Sequence, residues 1–150
     1  MAKYTEADIA RFRARAHNLN FDTSPTYYTR PTPEMMEICN GIGGAGGFLN
    51  PVLNFVYMNY QASSSDHDER YHVGGDFADR LTADKALRNN MILEWKDTYG
   101  WLGRLLRPKA RQERQLIDAA YLAVRAAGHN YFNYATDKDR AMDTPQEAKK

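Results

Sequence analysis

One hundred and fifty residues suit a single domain, and a chain of that size buries roughly 70% of its unfolded-state surface. Twenty Lys and Arg against nineteen Asp and Glu leave a formal charge of +1, so no global basic field exists to recruit nucleic acid, and none is expected as a partner. One cysteine, Cys39, can form no intrachain disulfide, no apolar run is long enough to span a bilayer, and the charged start "MAKYTEADIARFRARAH" lacks the apolar stretch of a signal peptide.

Thr5 predicts an N-cap, with Asp8 at the capping-box position, for a helix through about Ala16 whose apolar stripe is Ile9 and Phe12. "NLNFDTSPTYYTRP" holds two prolines and several turn formers and reads as an extended connection. Thr32-Pro33 is a helix-start signal. The short helix "PEMMEIC" is expected to end at "NGIGGAGG", because five glycines within residues 41–47 each cost about 1 kcal/mol in a helix relative to Ala. Asn50-Pro51 is expected to cap a second short helix, and the serines 63–65 to cap the helix carrying "DHDERYHV", which stops at Gly74-Gly75.

A long helix from about Thr82 carries Leu81, Ala83, Leu87, Met91, Ile92 and Trp95 near helical spacing, until "GWLGRLLRP" breaks it. "KARQERQLIDAAYLAVRAAG" is a further amphipathic helix with Leu116, Ala120, Val124 and Ala127 on one stripe. No run alternates at period two, so the expected class is all-α. The expected organisation is an N-terminal helix and connection over 1–31, a helical domain over 32–135, and a polar, flexible tail over 136–150.

His67 and Asp68 are neighbours, so on a helix their side chains diverge by about 100° and each needs a different partner. Tyr71, one turn on, shares the face of His67. Asp84 lies on the stripe of Leu87 and Met91, where a carboxylate needs a buried partner, and His67 is the candidate. Backbone carbonyls of a glycine loop at 41–47, with the Asp68 carboxylate, are oxygen donors of the kind calcium takes.

In this order, "CNGIGG", "HDERY" and "ADKALRNNM" resemble the phospholipase A2 superfamily, and most closely its short, disulfide-poor members from phages and prophages. The resemblance covers roughly residues 35–95; "DAAYLAVRAAGHNYF" is similar to the Y-x-A-V-R-x-x-G endings of such phage proteins. It implies a core of two packed helices carrying a His/Asp dyad, a glycine-rich calcium loop, and added N- and C-terminal helices. It further implies His67 as general base, Asp84 orienting it, Tyr71 holding Asp84, and calcium bound by Asp68 and the carbonyls of Cys39, Gly41 and Gly43. The Gly41 N–H, with the metal, would stabilise the oxyanion. The implied reaction is calcium-dependent hydrolysis of the sn-2 ester of glycerophospholipids at a membrane surface, by a protein made in a host cytoplasm and associated with phage particles.

Serines stand where secreted relatives place cysteines before His-Asp, so packing alone must position the helix, and Asp66 either adds a negative charge beside the site or faces solvent. The rival expectation is a non-catalytic virion component, structural or membrane-contacting, that keeps the fold and docks onto other virion proteins. A zinc enzyme is disfavoured, since four histidines and one cysteine show no HExxH and no cysteine pair. A Cys39–His67 nucleophile pair is a lesser alternative, with Cys39 as a packing residue its plainer account. "RLLRPKARQER" is read first as a solvated helix start and second as a membrane or nucleic-acid contact. Trp95, Tyr99 and Trp101 are read first as core and second as an interfacial lip that admits lipid.

Overall fold

The Thr5 side chain accepts the Asp8 N–H at 3.2 Å, and the Asp8 carboxylate takes the Thr5 N–H at 2.9 Å. This reciprocal cap starts α1, Glu6–Asn18, and Ile9, Phe12 and Ala16 form its buried stripe. The computed structural model describes residues 4–46 and 51–143, without the side chains of 40–46, and over them the fold is all-α. The further helices are α2 (Thr32–Gly46), α3 (Pro51–Asn59), α4 (Gln61–Val73), α5 (Phe77–Leu106), α6 (Pro108–Ala127) and α7 (Asp137–Asp143), with one 3-10 turn at Gly128–Asn130. Among the described residues there is no strand, only an isolated parallel bridge between Gly75 and Tyr134.

Helix α4 is the centre. Helices α1 and α2 pack on one side of it, α5 on another, while α6 lies along α5 and carries α3 on its flank. The first side has a core of Ile9, Phe12, Tyr27, Met35 and Cys39, and the second one of Val56, Tyr60, Leu87, Met91, Ile117 and Val124. A smaller cluster of Tyr71, Ala83 and Phe132 closes the end near the dyad.

Several expectations are corrected. Serines 63–65 do not cap α4 but lie within it, since Tyr60 is the N-cap. Their hydroxyls are satisfied locally or across the core: Ser64 donates to the Tyr60 carbonyl at 2.9 Å, Ser65 to that of Ala62 at 2.8 Å, and Ser63 to Glu94 at 2.6 Å. Helix α2 does not end at Cys39 but continues to Gly46. Extension of a nucleated helix adds a hydrogen bond per residue, and Met35 and Cys39 anchor it in the core. The expected cap at Asn50 lies outside the described residues.

The stripe of α6 is Ala110, Ile117, Ala120 and Val124, with Ala127 exposed. The start of α5 is set by Asp76, which accepts from the Ala78 and Asp79 N–H groups. Gly100, at φ 55° and ψ 177°, kinks α5 without ending it. Trp95 donates from Nε1 to the Ala110 carbonyl at 2.8 Å and joins the core, whereas Trp101 is exposed. Within the stretch assigned to a polar tail, Asp137–Asp143 is helical and packs on α5.

Gly74 ends α4 at φ 72°, and a Cβ there would lie 1.8 Å from the Asn133 carbonyl oxygen. Gly74 therefore lets the chain after α6 close against α4, with the Asn133 carbonyl accepting the Gly75 N–H at 3.0 Å. Gly74→Ala is expected to destabilise by about 1–3 kcal/mol through backbone strain and this clash, read as a lowered urea midpoint.

Candidate functional site

Helix α4 is buried almost all round, with Ala62 through Glu69 and Tyr71 inside. His67 and Asp68 are therefore not on a wet face, and neither is Asp66. A buried polar helix is tolerable only if its groups are matched. Asp66 accepts the Ser24 N–H at 2.7 Å and Arg70 Nε at 2.9 Å. Burial nonetheless raises its pKa above the usual carboxylate range, against the opposing pull of Arg70 and Ser24. Glu69 accepts from Thr26 at 2.6 Å and pairs with Arg30 at 2.7 Å. Tyr27 donates to Ser65 Oγ at 2.6 Å, since that serine's proton is spent on Ala62.

His67 meets Asp84, as the apolar stripe of α5 implied. Nε2 lies 3.0 Å from Asp84 Oδ1, and both side chains are at most 4% exposed. A carboxylate has only acceptors to offer, so Nε2 carries the proton and the lone pair sits on Nδ1. Among the described residues no group hydrogen-bonds Nδ1. Tyr71 donates to the same Oδ1 at 2.6 Å, and its ring stands 4.1 Å from the imidazole. Three of the four expected catalytic residues thus come together: His67, Asp84 and Tyr71.

The other carboxylate oxygen was not foreseen. Asp84 Oδ2 takes Arg125 Nη1 at 2.8 Å and Arg80 Nη1 at 3.4 Å. Arg80 is 1% exposed and also donates to the Val124 carbonyl at 3.2 Å, to the Arg125 carbonyl at 3.1 Å, and to Asp143, which Tyr134 also contacts. Burial pushes the Asp84 carboxyl up, but the hydrogen bonds from His67, Tyr71 and Arg125 outweigh it and hold its pKa below the usual value. Asp143 is lowered in the same way, burial being outweighed by Arg80 and Tyr134. Gly128 fits this cluster by having no side chain: a Cβ would lie 2.2 Å from the Tyr71 hydroxyl and 2.9 Å from Arg80 Nη1.

The i,i+4 spacing of Arg80 and Asp84 was a usable signal. The arginine and final glycine of "YLAVRAAG" are Arg125 and Gly128, so that motif reaches the dyad too. Asp143 had no signal beyond its charge.

The metal half is different. Asp68 is 2% exposed; its charge, after burial, raises Tyr4 to about 12 and lifts Cys39 and Tyr57. Asp68 thus lies near enough to Cys39 for its charge to act on the thiol. Gly41 and Gly43, however, lie in the helical backbone of α2, where carbonyls run along the axis and the N–H groups point back at carbonyls four residues earlier. Asp68 offers a suitable oxygen, but in this arrangement the carbonyls of Cys39, Gly41 and Gly43 do not converge on it, so the residues present do not fit a calcium ion. Among the described residues, no group of three or more His, Cys, Asp or Glu side chains gathers to hold a metal.

Burial, and then the charges of Asp68 and Glu69, push the Cys39 thiol well above its ordinary pKa, and its sulfur sits 4.0 Å from the Ser65 carbonyl. A buried neutral thiol of this kind is a packing group, not a nucleophile. No described helix is long and apolar enough to cross a membrane. No family model matches the chain, and no curated protein or solved structure matches it.

Two outcomes follow from the charges around Asp84. Arg80→Met leaves Asp84 and Asp143 short of a cation in the core and is expected to cost about 3–5 kcal/mol, read by thermal or urea unfolding. Because the folded-state values of Asp84 and Asp143 are depressed, their contribution to stability is complete above the unfolded value of 3.8 and fades as pH falls through the folded values. Urea midpoints taken from about pH 5 downward should therefore fall less steeply in Asp84→Asn than in the native chain.

Proposed function

We propose that the chain is a lipid-ester hydrolase of the phospholipase A2 type, acting on the sn-2 ester of glycerophospholipids. The observation that carries this reading is the buried His67–Asp84–Tyr71 arrangement, which leaves Nδ1 as the only basic position of the ring. A general base needs a fixed tautomer and a neighbour that stabilises its cation, and Asp84 supplies both.

In the proposed reaction, a water oxygen attacks the ester carbonyl carbon while Nδ1 takes the water proton. Collapse of the tetrahedral species breaks the bond to the glycerol oxygen, which takes that proton back from Nδ1. The products are a fatty acid and a lysophospholipid, with no acyl-enzyme.

Calcium, where bound, would supply a Lewis acid for the ester carbonyl; Asp68 would be its carboxylate ligand, and the carbonyls of Cys39, Gly41 and Gly43 would join it only in a conformation other than the helix described above. That requires residues 41–46 to leave the helical form, which glycine's backbone freedom permits.

The second reading is a virion component, structural or membrane-contacting, without turnover. The helical backbone over Gly41–Gly46 favours it, because a helix presents no converging carbonyls. Fatty-acid release from mixed phospholipid vesicles separates the two. The hydrolase reading expects release that needs calcium and drops by about 10²–10⁴ in His67→Ala. Calcium binding should be lost in Asp68→Asn and kept in His67→Ala. A folded native chain with neither calcium binding nor turnover sinks the hydrolase reading.

A further inference from the structure

Beyond the kink at Gly100, α5 turns an apolar face to solvent. Trp101, Leu102, Leu105 and Leu106 are 66%, 51%, 62% and 72% exposed. Their spacing of i, i+1, i+4 and i+5 puts them on one side of the last turns of α5. The turn between α5 and α6, the tip of their hairpin, carries only cations, between Asp97 on one side and Glu113 on the other. Residues 98–112, "TYGWLGRLLRPKARQ", hold Arg104, Arg107, Lys109 and Arg111 and no Asp or Glu. Arg104 folds back, donating to the Lys96 carbonyl at 3.0 Å with its guanidinium 5.7 Å from the Trp95 ring. Arg107, Lys109 and Arg111 are exposed next to the apolar residues in sequence, and Lys109 makes a loose ion pair with Glu113 at 3.9 Å.

We infer that this tip is a docking surface for an anionic lipid bilayer. Charge and apolarity together select that occupant. A second copy seated face to face would press two cationic tips against each other. A nucleic acid would meet the arginines but leave a tryptophan and three leucines in water. A bilayer with anionic headgroups satisfies both: indole and leucine side chains enter the interface, and the arginines and lysine reach lipid phosphates.

The helical rise puts Tyr99 about 20 Å along α5 from Asp84, so the tip is a separate surface from the dyad. Docking through this tip does not depend on hydrolysis. Of the three aromatics read as an interfacial lip, Trp95 is spent on the core, Tyr99 is half-buried and Trp101 is exposed.

The test uses the full chain and vesicles of ester-free diether lipids in EDTA, so neither turnover nor calcium can affect binding. Flotation is measured on phosphatidylcholine alone and on phosphatidylcholine with phosphatidylglycerol, at low and high salt. Binding is expected only with phosphatidylglycerol, weakening with salt. It should fall at least tenfold both in Trp101→Ser/Leu105→Ser and in Arg107→Gln/Lys109→Gln/Arg111→Gln.

All substituted side chains are exposed, and circular dichroism checks that the variants remain helical. Absent binding, equal binding to pure phosphatidylcholine, or variants that bind like the native chain would overturn the proposal. So would a Trp101-dependent dimer in sedimentation that persists in place of vesicle binding.

Discussion

Burial of the polar helix α4 is the constraint to which the other elements answer. Eight consecutive residues from Ala62 to Glu69 are out of solvent, and most of them carry charges or hydroxyls. An unmatched group in that position costs about 1–3 kcal/mol, and more if charged, so the surrounding helices must bring complementary atoms. α5 brings Glu94 to Ser63 and Asp84 to His67. The connection before α2 brings the Ser24 N–H to Asp66, and Thr26 and Arg30 to Glu69. Orientation is thereby specified by polar registry, which apolar packing alone leaves looser, and no disulfide is required to fix it.

Asp84 is the most heavily used of these groups. Its two oxygens divide the work: one faces His67 and Tyr71, the other faces Arg80 and Arg125. The second oxygen explains why an ionised carboxylate survives at this depth, since two guanidiniums offset its desolvation. That arrangement draws four segments together: α5 itself, α6 through Arg125, the turn at Gly128 through its missing side chain, and α7 through Asp143. The dyad is thus a junction of the tertiary structure as well as a chemical pair.

Where the chain could be read in advance, a local rule had one outcome. Thr5 with Asp8 has a single reciprocal cap, and a lone carboxylate on the Leu87–Met91 stripe has to face a partner. The serines were ambiguous because a hydroxyl satisfies a cap and a buried helix interior equally well, and only tertiary burial decides between them. Glycine propensity alone points to a helix end at 41–47, whereas α2, anchored by Met35 and Cys39, runs on to Gly46. Arg80 and Arg125 are separated by 45 positions, and their common target is visible only once α5 and α6 pack. Asp143 sits in a stretch whose composition reads as tail, and composition carries no information about a single buried contact.

The separation of His67 and Asp68 by one position has a further consequence for the fold. Adjacent side chains on α4 diverge by about 100°: His67 faces the α5–α6–α7 junction, while the charge of Asp68 acts on Tyr4, Cys39 and Tyr57. The two halves are held by different elements and different forces. The dyad half is tied by buried ion pairs that also stabilise the fold, so selection for folding alone would preserve it. The other half would rely on residues 41–46, whose helical carbonyls do not converge, and only selection for ion binding would favour a convergent loop there. An intact dyad is therefore the weaker discriminator between enzyme and structural protein, and the conformation of residues 41–46 in the presence of calcium is the stronger one.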